Sequence, residues 1–172
     1  SNEREVERSN DLKQYTSNDR NTGLSGKSDT DDRTSFSEET KSKVVEEHEE
    51  AYNYIKNGEL INLFKLAKEG KKLADIYYQN EPAPCIAVRY DRFEILKYLL
   101  HEIDCKKLVN TANKRNALHY AVIYYNLNTV RFLLKNDFSA NEKDSEGNTP
   151  LHYAVSNQLR ECVKELLNKG AD

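Results

Sequence analysis

Asn148-Thr149-Pro150-Leu151-His152-Tyr153-Ala154-Val155 decides the reading of this chain. It lines up, at an offset of 33, with Arg115-Asn116-Ala117-Leu118-His119-Tyr120-Ala121-Val122. Leu166-Leu167 match Leu133-Leu134 at the same offset, and those match Leu99-Leu100 one step of 34 further back. Tyr54, Ala87, Ala121 and Ala154 thus form one column, with steps of 33, 34 and 33. A fixed period of this size marks stacked supersecondary units, none of which can bury both of its faces alone.

Each unit reads as two short helices. In the third, 149–157 is the first and 159–169 the second. Pro150 suits a first helical turn, where its missing N–H is no loss, and Thr149 can cap it. Ala154 is small where a second helix must approach closely. Cys162, Val163, Leu166 and Leu167 form the apolar stripe of the second helix, and Gly170 ends it. Asp144-Ser145-Glu146-Gly147 is turn chemistry, with Gly available for positive φ.

The third unit carries T-P-L-H-Y-A at 149–154 and ends L-L-N-K-G-A-D; the second keeps A-L-H-Y-A at 117–121. On these residues the chain resembles the ankyrin-repeat family, over about residues 44–172. The resemblance implies an all-α solenoid of helix-turn-helix units joined by hairpin-like loops. Its units are repeats at about 77–110, 111–143 and 144–172, behind a degenerate N-terminal capping unit at about 44–76. The first repeat, E-P-A-P-C-I-A-V (81–88), has Cys85 at the His position. Lys114 stands where the family turn prefers Gly, and Asp91, Asn126 and Gln158 stand where the family places Gly between helices. Residues 71–81 hardly match a family turn, which leaves the first hairpin unsupported. The third unit keeps an apolar second helix with no polar cap, so the stack is expected to be cut at, or near, a repeat boundary, or its last helix to meet something else.

Composition separates the rest. Residues 1–43 hold five apolar residues, whereas 44–172 hold 59 of 129, an ordinary globular content. Residues 1–50 carry net charge −6 and the remainder +3. Residues 1–43 are therefore expected to be a disordered polar, acidic tail. In it Ser28-Asp29-Thr30-Asp31-Asp32 and Ser35-Phe36-Ser37-Glu38-Glu39 place acids after hydroxyls, the context of acid-directed kinases. A first helix begins near Glu38, with Val44, Val45, His48, Ala51, Tyr52 and Ile55 on one face. No apolar run approaches the length of a membrane span, and no secretory leader is visible. Three cysteines without C-x-x-C spacing suit a reducing, intracellular setting, the cytoplasm first and the nucleus second. The weak positive charge argues against nucleic acid.

Nothing supports catalysis. His119 and His152 lie one repeat apart, about 10 Å, too far to share a metal; the resemblance implies that this His bonds backbone between repeats. Cys85 and Cys162 occupy apolar helical positions, where a thiol acts as a small hydrophobe. No Gly-rich phosphate loop, nucleophile elbow or H-E-x-x-H motif occurs. No enzyme activity, cofactor or metal is expected. The resemblance instead implies a monomeric protein–protein interaction module that uses the concave face and the hairpin tips. Carrying the family positions across places partner contacts at Tyr78, Glu81, Arg89 and Tyr90 in the first repeat. The second gives Asn113, Arg115, Ile123 and Tyr124; the third gives Glu146, Asn148, Ser156 and Asn157. Tyr and Arg are the types that dominate binding hot spots. The alternative function is the targeting or regulatory segment of a larger enzyme.

Overall fold

The structure, a computed structural model, describes residues 34–172, with side chains from residue 43 onward. Most of the expected tail, with the hydroxyls at Ser28 and Thr30, lies outside the described residues. The described elements are α1 (Thr34–Asn57), α2 (Leu60–Lys68), β1 (Tyr77–Tyr78), β2 (Glu81–Pro82), α3 (Ala83–Arg89) and α4 (Phe93–Glu102). After them come α5 (Ala117–Ile123), α6 (Leu127–Lys135), α7 (Pro150–Ser156) and α8 (Arg160–Asn168). Helix α1 thus begins inside the stretch expected to be tail, a few residues earlier than its periodicity indicates. Ala51 and Ile55 are buried, but Val44 and Val45 of the same face stay exposed. Only the last two turns of α1 reach the core, where Ala51 and Ile55 join the cluster that also holds Leu63 and Leu66 of α2.

The first helices of successive units (α3, α5, α7) pack side by side, and each packs on its own second helix (α4, α6, α8). Ala87, Ala121 and Ala154 are fully buried at these crossings, where the absence of a long side chain lets the helices close. Leu99, Leu133 and Leu166 are fully buried on the second helices, each worth about 1.5–3 kcal/mol of transfer free energy. One core cluster therefore runs from Ala51 to Ala171, and no unit owns it.

The turn between the two helices of a unit repeats to the bond. Arg92 N donates to Ala87 O (2.8 Å), Asn126 N to Ala121 O (2.9 Å) and Leu159 N to Ala154 O (2.8 Å). The residue before each donor is left-handed: Asp91 (φ 55°), Tyr125 (φ 57°) and Gln158 (φ 55°). This corrects the expectation for the second repeat, where Tyr125, not Asn126, takes the glycine position. Asn126 instead caps α6, its side chain accepting from Thr129 N at 3.0 Å.

The first hairpin, unsupported by sequence, does form: Tyr77 pairs with Pro82 and Tyr78 with Glu81. Gln79 (φ 48°) and Asn80 (φ 70°) are both left-handed, the requirement of a two-residue type I′ turn. Asn tolerates that region, whereas Gln does so at a cost and gives no turn signal. Neighbouring tips are joined through main chain: Thr111 N donates to Asn80 O, and Ser145 N to Asn113 O, both at 2.9 Å.

Candidate functional site

Hairpins β1–β2, 110–115 and 144–148 line up beside the first helices α3, α5 and α7 and present one face. Its frame is polar and buried. Asp144 anchors the third hairpin: its Oδ1 accepts from Glu146 N (3.0 Å) and Asn148 N (2.9 Å). Its Oδ2 accepts from Tyr153 OH (2.5 Å) and from Arg115 Nε (3.1 Å), which reaches over from the second unit. Arg115 also lies over the Tyr153 ring at 5.1 Å. Burial pushes the Asp144 carboxyl up, but Tyr153, Arg115 and the two backbone donors hold it below the usual range. Asn110 does the same work in the second hairpin, accepting from Ala112 N and Asn113 N and donating to Tyr120 OH (2.9 Å).

Glu81 plays a third version. Expected at an exposed tip, it is only 5% accessible. Its carboxylate accepts from Tyr120 OH of the next unit (2.8 Å) and pairs with Arg89. Burial raises the Glu81 carboxyl, with Arg89 and Tyr120 opposing; burial lowers the Arg89 guanidinium, but Glu81 and the tyrosines more than offset it. Glu81, Arg89 and Arg115 therefore belong to the frame that joins units. Sequence could not separate them from contacts, because frame and tip differ only in which way a side chain turns.

His119 is fully buried and bridges units, as the resemblance implies. Asn116 N donates to its Nδ1 (3.3 Å), which assigns the proton to Nε2, and Nε2 donates to Asn148 O (3.2 Å). Burial lowers its pKa. His152 repeats the local bond, Thr149 N to Nδ1 at 3.1 Å, on an exposed side chain. Among the described residues no group of three or more His, Cys, Asp or Glu is placed to hold a metal. Burial raises the thiols of Cys85, Cys105 (to about 12) and Cys162, the opposite of what a nucleophilic thiolate needs. No helix of the described residues is long and apolar enough to cross a membrane.

What the frame leaves to solvent is largely aromatic and amide, with Lys114 and Glu146 as exposed charges at the tips. Tyr78, Tyr90, Asn113, Ile123, Tyr124, Asn148 and Asn157 are half-buried, and Glu146 and Ser156 are exposed. Tyr124 lies against Arg89; burial raises its hydroxyl and Arg89 opposes. Tyr90 OH meets Tyr52 OH at 2.8 Å, and Tyr52 stacks on Tyr78 with centroids 3.9 Å apart. Tyr52 and Lys56, both on α1, belong to this face; the sequence places Tyr52 on the apolar side of that helix, but the degenerate first unit offers no family position to transfer for either.

Paired helices on a 33–34-residue period, with hairpins joined tip to tip and an inter-unit histidine, define a repeat solenoid. The family model of ankyrin repeats (three copies) matches residues 85–172, just over half of the chain. The chain belongs to the ankyrin-repeat family, whose members are in general protein–protein interaction modules without catalytic activity of their own. It is 47% identical over 55 residues to an ankyrin repeat protein of fowlpox virus (strain NVSL), covering 32% of this chain and 13% of that protein. It is 34% identical over 86 residues to one of Acanthamoeba polyphaga mimivirus, covering 50% and 11%. A protein of Arabidopsis thaliana named as an E3 ubiquitin-protein ligase is 30% identical over 129 residues, covering 67% and 28%. The chain thus spans under a third of the length of these relatives.

Proposed function

We propose that the face made by the hairpin tips and the exposed edges of α3, α5 and α7 binds one segment or surface of another protein, without catalysis, in an intracellular setting. The observation that carries this reading is the division of labour on that face. Glu81, Arg89, Arg115 and Asp144 hold the units together, while Tyr78, Tyr90, Ile123 and Tyr124 remain half-open on a rigid support. Aromatic groups fixed by second contacts lose little entropy on binding and suit hot spots. Asn113, Glu146, Asn148, Ser156 and Asn157 supply the polar rim. Glu81, Arg89 and Arg115 act by keeping the units in register. Three free, buried cysteines suit a reducing compartment.

The test compares variants on one identified partner captured by the wild-type chain. Tyr90→Ala/Tyr124→Ala should weaken binding by at least tenfold with the thermal transition kept, and Phe64→Ala on α2 should leave it unchanged. Unchanged affinity in the double variant refutes the reading. A second reading, a targeting segment within a larger enzyme, draws on the likeness to the ubiquitin-ligase relative. Sequence beyond Asp172 tests it: a catalytic motif supports it and further repeats alone oppose it.

A further inference from the structure

Where α1 meets the first repeat, two tyrosine rings make a corner. Tyr52 and Tyr90 stand 6.1 Å apart at an interplanar angle of 73°. The ammonium of Lys56 sits in that corner, 5.7 Å from one ring centroid and 5.8 Å from the other. The far face of Tyr52 is closed by Tyr78, and the hydroxyls of Tyr52 and Tyr90 hold each other, so both walls are fixed. A cation equidistant from two electron-rich faces is the arrangement that aromatic rings offer a charged guest. Lys56 itself is an exposed side chain on the last turn of α1, free to swing away. Glu49 is exposed three residues before Tyr52 and seven before Lys56, on the same helix face. The neighbouring cations are engaged elsewhere: Arg89 pairs with Glu81, and Arg92 Nε donates to Lys56 O at 2.7 Å.

We propose that this corner is a cation site for the guanidinium of an arginine in the bound partner segment, with Lys56 as its resident stand-in when no partner is present. The inference rests on the interaction reading above and specifies its partner as a basic segment that enters at the N-terminal end of the face. The planar guanidinium lies flat on one tyrosine ring and meets the other edgewise, and Glu49 supplies the long-range attraction.

The probe is the peptide acetyl-Gly-Arg-Gly-amide, titrated into the whole chain while the ring signals of the tyrosines are followed by NMR. Its control is the same peptide with citrulline, which keeps shape and removes charge. The arginine peptide should move the Tyr52 and Tyr90 rings saturably, more weakly in high salt, and the citrulline peptide should not. Lys56→Gln empties the corner and should tighten arginine binding about threefold; Glu49→Gln should weaken it. Neither variant touches the core, so both keep the fold. Equal shifts from the two peptides, or no gain in Lys56→Gln, overturn the proposal. If that happens while Tyr90→Ala/Tyr124→Ala still loses its protein partner, the arginine site fails and the interaction reading stands. If the partner ignores the tyrosine pair, that reading fails, and the peptide titration still decides the site.

Discussion

Asp144→Ala removes more than one contact. Its carboxylate accepts four hydrogen bonds, two from backbone in its own turn and two from Tyr153 and Arg115. The Asp144 side chain is fully buried and that of Arg115 is 11% exposed, so neither charge is left to water. Each turn bond contributes about 1 kcal/mol net, and stripping one partner from a buried ion pair costs about 3–5 kcal/mol. The contributions are not additive, and the cost is capped by the free energy of opening the last unit alone. The expected loss is about 3–4 kcal/mol. Asp144→Asn has an internal precedent in Asn110, which holds the same turn and the same tyrosine partner without charge; it should cost about 1–2 kcal/mol. Urea melts monitored by hydrogen exchange give both readouts. Protection should fall in 144–168 first, and remain in α3 and α4. Because Asp144 titrates below its unfolded value, its contribution is present above about pH 4 and lost as pH falls through the depressed folded value. A loss under 1 kcal/mol in Asp144→Ala, or equal loss of protection in all units, would refute the inter-unit clamp.

His119, buried and neutral, has a folded pKa below that of free imidazole. Stability should therefore be full above about pH 6.5 and decline as pH falls toward the depressed value; His119→Gln should flatten urea midpoints between pH 7.5 and 5. Gln158→Gly places a residue without Cβ at a left-handed position and should raise stability by about 0.5–1 kcal/mol, read as a higher Tm. Leu133→Ala, in the middle of the shared core, should cost about 3 kcal/mol, seen as a lower urea midpoint.

The period, the helix pairs and the role of His119 were legible because repetition multiplies a weak signal: Leu99, Leu133 and Leu166 announce one another. The first hairpin was not, because Gln79 and Asn80 reach positive φ without the glycine that marks such turns. A one-residue slip between the first and second repeats put Asn126 where Tyr125 belongs, since Asn is the residue expected in a left-handed turn and Tyr is not. On the hairpin and first-helix face, residue positions transferred but side-chain direction did not. Glu81, Arg89 and Arg115 look like contacts in sequence and lie in the frame, because long polar side chains can fold back as easily as reach out. Tyr52 and Lys56 fell outside any repeat pattern and joined the face through folding alone.

The central claim is that a protein partner occupies the hairpin and first-helix face. Hydrogen exchange of the whole chain, free and saturated with a partner, tests it most directly. Added protection at residues 78–81, at 111–115 and at the ends of α3 and α5, with α2, α4 and α6 unchanged, is the predicted footprint. Protection confined to the second helices would contradict it.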